Sequence, residues 1–172
     1  YALVKRLGSL SMKTAAEIGI QVCRLIQFMN TADNPILYLD LQPKNLLVCN
    51  GAVRLIDFDH AQYAEDVTAF GERYGTIGFA APEQYRGEPL DCRTDVYAIG
   101  ALLYYMCRGE PPGNGFCLGD RSGTWELDRI IRGCMAAEKD GRYQNAGKVE
   151  QALCELKTVL SEKHAIESLT IV

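Results

Sequence analysis

Apolar side chains recur every three or four residues along several stretches of the chain. One such stripe follows Ser11 and runs until Asn34 and Pro35 interrupt it. This spacing predicts an amphipathic helix with Ser11 as its N-cap, ending near residues 30–34 because the residue before a proline avoids the helical conformation. The same periodicity predicts a short helical turn after Pro82 and further helices over residues 125–137 and 145–163.

The longest apolar run has no polar face. It extends from Val96 to Cys107, which is too short to cross a bilayer. We therefore predict a helix over residues 92–108 that is buried in the core and stopped by Gly109 and the prolines after it. No segment of the chain is predicted to span a membrane.

The pattern changes to that of strands on both sides of Asn50 and Gly51. Asn-Gly between two apolar runs is a strong signal for a two-residue hairpin turn, because both turn residues need positive φ. Residues 57–80 show no strong period and predict a long loop. The fold class is therefore α+β, mostly α-helical, with one small β-hairpin. The turn predicts three strand pairs: Cys49 with Ala52, Val48 with Val53, and Leu46 with Leu55.

The predicted hairpin gathers polar side chains at its open end. Its register places Asn45 opposite Ile56, one residue before Asp57. Asp40 lies five residues before Asn45, in a segment bent by Pro43. Amide and carboxylate oxygens are ligands that Mg²⁺ uses together with water and substrate phosphates. The spacing allows a magnesium site at Asp40, Asn45 and Asp57, and it also allows solvated turn residues and caps.

Composition narrows the class of protein. The 172 residues are 48% hydrophobic and 23% charged, with a net charge of −4, which is typical of one globular domain over residues 1–172. This acidic balance argues against a nucleic-acid partner. The seven cysteines are odd in number and include no Cys-x-x-Cys pair. We therefore expect reduced, mostly buried thiols in a cytoplasmic protein.

Five segments resemble motifs of the eukaryotic-like protein kinases and occur in that family's order. They are Tyr38–Asn45, which resembles the catalytic loop HRDLKPxN; Ile56–Asp59 (DFG); Gly75–Glu83 (GTxxYxAPE); Asp95–Gly100 (DVWSxG); and Arg142, the arginine that pairs with the glutamate of APE. The resemblance covers nearly the whole chain and is nearest to bacterial serine/threonine kinases. It implies the C-terminal lobe of a kinase, whose hairpin carries the catalytic and metal-binding loops.

The resemblance also implies an activity, which is ATP-dependent phosphoryl transfer to a serine or threonine of a protein substrate. It makes Asp40 the catalytic base, with Gln42 and Thr76 beside it in the catalytic site. It makes Asn45 and Asp57 the residues that hold Mg²⁺ and thereby ATP. Three residues have implied structural roles: Glu83 and Arg142 as a buried ion pair, and Asp95 as the anchor of the catalytic-loop backbone.

Three positions depart from the family pattern. Leu39 replaces the arginine that reads a phosphate on the activation loop, and Gln42 replaces the lysine that contacts the transferred phosphate. Asp59 replaces the glycine of DFG and is expected to add a third carboxylate near the metal site. The first two changes leave open a pseudokinase or scaffold module. A small-molecule phosphotransferase of the aminoglycoside or choline kinase type also stays open, although those enzymes lack the APE segment and its arginine.

The glycine-rich phosphate loop and the VAIK-like strand of the family have no counterpart in the chain. Both belong to the N-terminal lobe of a kinase, and the resemblance begins after the hinge between the lobes. We therefore expect that lobe to be absent from this chain, and the chain alone to bind ATP poorly and to transfer little or no phosphate. The full-length protein is expected to be the enzyme, and apolar surface is expected where the other lobe would dock.

Overall fold

The computed structural model describes residues 2–67, 75–113 and 125–169. Within these ranges the chain forms six α-helices and two antiparallel two-stranded sheets. The helices are α1 (Ala2–Leu7), α2 (Met12–Asn30), α3 (Pro82–Arg86), α4 (Cys92–Arg108), α5 (Trp125–Cys134) and α6 (Ala146–Leu169). The strands are β1 (Ile36–Leu37), β2 (Leu46–Cys49), β3 (Ala52–Leu55) and β4 (Gln62–Tyr63).

The core is built around α4, most of whose residues are buried. Its N-cap is Asp91, whose carboxylate accepts the N–H of Arg93 at 2.9 Å. The helix ends at Gly109, which takes the left-handed conformation (φ 81°) that commonly closes a helix. Helices α2, α5 and α6 pack against it. The apolar run therefore forms the buried helix that it predicts.

The hairpin of β2 and β3 has the predicted register. All three predicted strand pairs form, and the turn residues Asn50 (φ 51°) and Gly51 (φ 77°) are both left-handed. Gln21 on α2 attaches the hairpin to the helical body, because its carboxamide donates to the Gly51 carbonyl at 3.0 Å and accepts the Val53 N–H at 3.1 Å. The open end of the hairpin is thereby fixed relative to the core.

The loop predicted over residues 57–80 is only partly a loop. Gln62 and Tyr63 form β4, which pairs with β1 in a second sheet, and residues 68–74 lie outside the described ranges. The predicted β-hairpin is confirmed, whereas this second sheet is not predicted, because two-residue strands carry no period of their own. Helix α1 is likewise not predicted, α5 ends at Cys134 instead of residue 137, and α6 continues to Leu169.

The cysteines are less buried than expected. Cys23 and Cys134 are buried, Cys49 is exposed, and the other three described cysteines are intermediate, all six as free thiols. Cys117 lies outside the described residues. No helix in the described ranges combines the length and the apolar character that a bilayer crossing needs.

Candidate active site

Asp40 is the centre of a hydrogen-bonded group at the open end of the hairpin. Its Oδ2 atom accepts the carboxamide N–H of Gln42 at 2.8 Å and that of Asn45 at 2.7 Å. Its Oδ1 atom accepts the hydroxyl of Thr76 at 2.8 Å. Four of the predicted site residues therefore lie together, and the carboxylate is fixed by three donors that are all uncharged.

The short segment between Asp40 and β2 brings Asn45 back to the carboxylate. Pro43 begins a 3₁₀ turn, Pro43–Asn45, that ends where β2 starts. The turn reverses the direction of the chain, so the Asn45 amide also donates to the main-chain carbonyl of Asp40 at 3.0 Å. Asn45 is buried in this position, and its two contacts with one residue hold the loop closed.

Thr76 reaches Asp40 from a distant segment because its own backbone forms a tight turn. Its carbonyl accepts the N–H groups of Phe79 and Ala80, both at 2.9 Å. Gly75 precedes it at φ 145°, and a Cβ there would lie 2.3 Å from the Cβ of Ala80. Only glycine fits this close approach, which directs the Thr76 hydroxyl to the catalytic loop.

Asp57 lies two residues after β3, the second strand of the hairpin. The N–H of Ile56 donates to the Asn45 carbonyl at 3.0 Å and so continues the ladder by one residue. Asp57 then takes a left-handed conformation (φ 65°), which is uncommon for a residue other than glycine. After this bend Asp57 is exposed to solvent, and it directly follows Ile56, the residue that pairs with Asn45.

Tyr38 supports this bend. Its hydroxyl donates to the Ile56 carbonyl at 2.5 Å, and its ring meets that of Phe58 edge to face with the centroids 5.3 Å apart. Burial raises the pKa of the Tyr38 hydroxyl well above its usual value, and the charges of Asp40 and Asp57 add to the rise. The Tyr38 hydroxyl therefore stays neutral and can donate its hydrogen bond, because the negative charges of Asp40 and Asp57 disfavour its ionisation.

The backbone directly before Asp40 is strained and fixed in place. Leu39 has φ 64°, and the N–H of Asp40 donates to the Tyr38 carbonyl at 2.9 Å, so Leu39 is the centre of a γ-turn. The carboxylate of Asp95 on α4 accepts the N–H groups of Tyr38 at 3.0 Å and Leu39 at 2.9 Å. Burial raises the pKa of Asp95, and these hydrogen bonds oppose the rise.

Glu83 and Arg142 form a buried, two-pronged ion pair. Their Oε1–Nη1 and Oε2–Nη2 distances are 2.7 and 2.8 Å, and the two side chains are almost fully buried. The remaining N–H groups of Arg142 donate to the carbonyls of Arg93, Ala136 and Ala137. Burial would raise the pKa of Glu83, but the hydrogen bonds of Arg142 lower it below its usual value. The pair joins α3 to the segment before α6.

Gln84 is a site residue that the sequence reading misses. It follows Glu83 and is buried. Its Nε2 donates to the Leu39 carbonyl at 3.0 Å, and its Oε1 accepts the Ala81 N–H at 2.9 Å. A signal is present in the sequence, because Gln84 is the third residue of α3, where a glutamine side chain commonly caps the helix start.

The oxygen donors at the site fit Mg²⁺ but do not form a closed metal cage. Among the described residues, no three carboxylate, histidine or cysteine side chains are grouped so that they could hold a metal ion. Asp59 adjoins Asp57, whose Oδ1 atom accepts the Asp59 N–H at 3.4 Å, and its place as a third carboxylate near the metal site stays a prediction. The Asn45 amide nitrogen donates to Asp40, which leaves the amide oxygen available to a cation. Asp57, whose side chain is exposed, follows the residue that pairs with Asn45. One amide oxygen and one carboxylate are a donor set that Mg²⁺ completes with water and phosphate oxygens.

Lys44 borders a different part of the molecule. It lines an apolar cleft of about 430 Å³, together with Leu46 and apolar side chains from α1, α2 and α4. The hairpin residues Leu47 and Val48, which also line this cleft, are 49% and 45% exposed. The hairpin therefore presents apolar surface next to the site.

Comparison with known proteins agrees with this geometry. A sequence profile of the protein kinase domain matches residues 1–167. The serine/threonine-protein kinase PknB of Mycolicibacterium smegmatis is 30% identical over 172 residues, which cover 85% of this chain and 27% of the relative. A probable serine/threonine-protein kinase of Corynebacterium efficiens is 37% identical over 173 residues, which cover 86% of this chain and 26% of the relative. The chain thus spans about a quarter of the length of the curated relatives it matches. It belongs to the protein kinase family, in the eukaryotic-like branch that includes bacterial serine/threonine kinases.

Proposed function

We propose that the full-length protein containing this chain is a serine/threonine kinase that transfers phosphate from ATP to a hydroxyl group of a protein substrate. The observation that carries the proposal is the fixed carboxylate of Asp40, held by three uncharged donors, one of which, Asn45, is also a candidate Mg²⁺ ligand. A carboxylate held in one direction is suited to orient a hydroxyl and accept its proton.

Asp40 is the catalytic base in this proposal. Gln42 and Asn45 donate to its Oδ2 atom, and Thr76 is the one donor to Oδ1 among the described residues, so Oδ1 retains a lone pair for a substrate hydroxyl. Thr76 also ties the segment that leads into α3 to the catalytic carboxylate. A substrate chain lying against that segment would therefore present its hydroxyl at a defined place.

Asn45 and Asp57 would hold Mg²⁺, and ATP would bind through the ion. The bound ion would neutralise the charge of the phosphate oxygens during transfer. The chain contributes the positions of the two ligands, through the 3₁₀ turn before β2 and the left-handed bend after Ile56. We further propose that an N-terminal lobe outside this chain completes the ATP site, and that the domain works in the cytoplasm, where thiols stay reduced.

A binding or scaffold module is the second candidate, and one observation favours it. The Gln42 carboxamide, which stands where the family has a cationic lysine, is hydrogen-bonded to Asp40. Leu39, in place of the family's arginine, is a buried apolar residue. A pseudokinase would keep the fold and the ion pair while lacking positive charge at the transferred phosphate.

A small-molecule phosphotransferase is less well supported. Those enzymes lack the APE segment and its arginine partner, whereas Glu83 and Arg142 are directly bonded here. The match to the protein kinase domain over residues 1–167 also favours a protein substrate.

The metal ligands provide the test of the proposed function. We expect Mg²⁺-dependent transfer from ATP to a serine- and threonine-containing protein by the full-length protein, and a loss of about 100-fold or more in Asp57→Asn, because a ligand of the ion is removed. Asp33→Asn is the matched control, since it removes an exposed carboxylate from a loop outside the candidate site. Equal activity in the two variants would contradict the role of Asp57.

Nucleotide binding separates the kinase from the scaffold. A kinase predicts that Mg-ATP raises the melting temperature of the full-length protein and that the Asp57→Asn variant loses this shift. A protein that ignores Mg-ATP and transfers no phosphate would instead be a scaffold. Gln42→Lys adds a second comparison, because a gain of activity in that variant would identify the missing charge as the defect.

A further inference from the structure

The γ-turn before Asp40 is held from two sides. Asp95 binds its N–H groups, as described above. On the other side the Leu39 carbonyl accepts the Nε2–H of Gln84 at 3.0 Å. Leu39 is 3% exposed and Gln84 is 4% exposed, so water does not compete for this bond.

Gln84 connects the start of α3 to the segment directly before Asp40. Its Oε1 accepts the N–H of Ala81, the residue before α3, at 2.9 Å. The same carboxamide therefore joins the start of α3 to the carbonyl directly before Asp40. Thr76, a few residues earlier, makes the second link to the carboxylate itself. Residues 76–84 therefore hold both the Leu39 carbonyl, which directly precedes Asp40, and the carboxylate of Asp40.

We propose that Gln84 is a positioning residue of the phosphoryl-transfer reaction. By holding the Leu39 carbonyl, it fixes the strained γ-turn and hence the direction of the Asp40 carboxylate. The Gln84 carboxamide is uncharged and buried, and it binds the main chain of Leu39, whose own side chain is apolar. This inference rests on the proposed function, since a positioning role needs a reaction to position.

Two variants of the full-length protein separate this role from simple capping of α3. Gln84→Glu keeps the acceptor for the Ala81 N–H and loses the donor to Leu39, whereas Gln84→Met loses both. Gln151→Met on the exposed face of α6 is the control for the change of side chain. The measurement is kcat and KM for ATP and for the protein substrate, per folded molecule as judged by circular dichroism.

We expect kcat to fall about tenfold or more in both variants, because a misplacement of the catalytic group by about 1 Å is costly. KM should change by less than about twofold, since no binding contact is removed. The control should match the wild type.

A Gln84→Glu variant with wild-type kcat would overturn the inference, because only the cap of α3 would then matter. A loss of folded protein in both variants would also overturn it. A wild-type protein that transfers no phosphate would overturn the proposed function and this inference together, whereas an active wild type with unimpaired variants overturns this inference alone.

Discussion

Buried polar side chains define this molecule at the scale of single residues. Asp95 and the pair of Glu83 with Arg142 lie in the interior, where an unpaired charge is expensive, and each is satisfied by several partners. All five N–H donors of Arg142 have acceptors. These residues connect α3, α4 and the catalytic loop, so their energetic role is to hold together segments distant in sequence.

Removing one partner of the buried pair should be strongly destabilising. Arg142→Met leaves the Glu83 carboxylate buried without its cation, and we expect a loss of about 3–5 kcal/mol in the free energy of unfolding measured by urea denaturation. The pair of Arg24 with Glu150, in which Arg24 is exposed, is the control, and Arg24→Met should lower the free energy of unfolding far less than Arg142→Met. Similar losses in the two variants would contradict the assigned role of burial.

At the residue scale the sequence predicts the polar group only in part. Asn45 and Asp57 follow from the hairpin register, because the Asn-Gly turn fixes which residues face each other, and Asp40 follows from its spacing to Asn45 and the bend at Pro43. The motif resemblance adds Thr76, whose position depends on a turn that no local pattern reveals. Gln84 and the γ-turn at Leu39 are missed, since both depend on contacts between segments about 45 residues apart.

The elements themselves are predictable where one local signal decides them. Ser11 begins α2 and accepts the Thr14 N–H at 3.2 Å, and the apolar run becomes the buried helix α4. The pairing of β1 with β4 is not predictable in this way. Two residues on each side carry no alternation, and the partners are brought together only by the bend after the hairpin.

Helix α4 can be tested at Gly100, where α5 comes very close. A Cβ at this position would lie 2.5 Å from the Cβ of Cys134 and 2.7 Å from the Cγ of Met135. We expect Gly100→Ala to lower the free energy of unfolding by about 1–2 kcal/mol, because overpacking outweighs the better helix propensity of alanine. Gly113→Ala should be nearly neutral, since none of the residues that the structure describes lies within 4 Å of the added methyl. A stabilised Gly100→Ala variant would contradict the close helix packing.

The start of α4 should make stability depend on pH. Burial alone would raise the pKa of Asp91, but hydrogen bonds from Arg93 and Lys139 outweigh it and lower the pKa from 3.8 to about 2. The folded state therefore binds fewer protons than the unfolded state in this range. The stabilisation is complete above the unfolded value and is lost as the pH falls from about 3.8 to 2.

Asp91→Asn isolates this effect, because asparagine also caps helices but carries no charge. We expect the variant to be about 1 kcal/mol less stable than the wild type at pH 6, given that the Asp91 side chain is 35% exposed. The difference should shrink as the pH falls below 4 in urea denaturation. A difference that is the same at pH 6 and pH 3 would show that the charge of Asp91 does not contribute.

At the scale of the whole molecule, the described residues form a mostly helical body with the candidate active site at the open end of one hairpin. Nearly the whole chain matches the protein kinase domain, yet it spans about a quarter of its curated relatives. Exposed apolar side chains such as Leu47 and Phe58 lie at the hairpin and directly after it. We propose that a second lobe covers this surface and completes the site for ATP.

The most direct test of the central claim is the transfer of labelled phosphate from Mg-ATP to a serine- and threonine-containing protein by the full-length protein and its Asp40→Asn variant. We expect transfer by the wild type and a rate of transfer about 100-fold or more lower in Asp40→Asn, because the acceptor of the hydroxyl proton is removed. Asp33→Asn, an exposed loop position, should retain full activity. Equal transfer by the wild type and Asp40→Asn would contradict the role of Asp40 as the catalytic base. The absence of transfer by the wild type would contradict the proposed kinase activity.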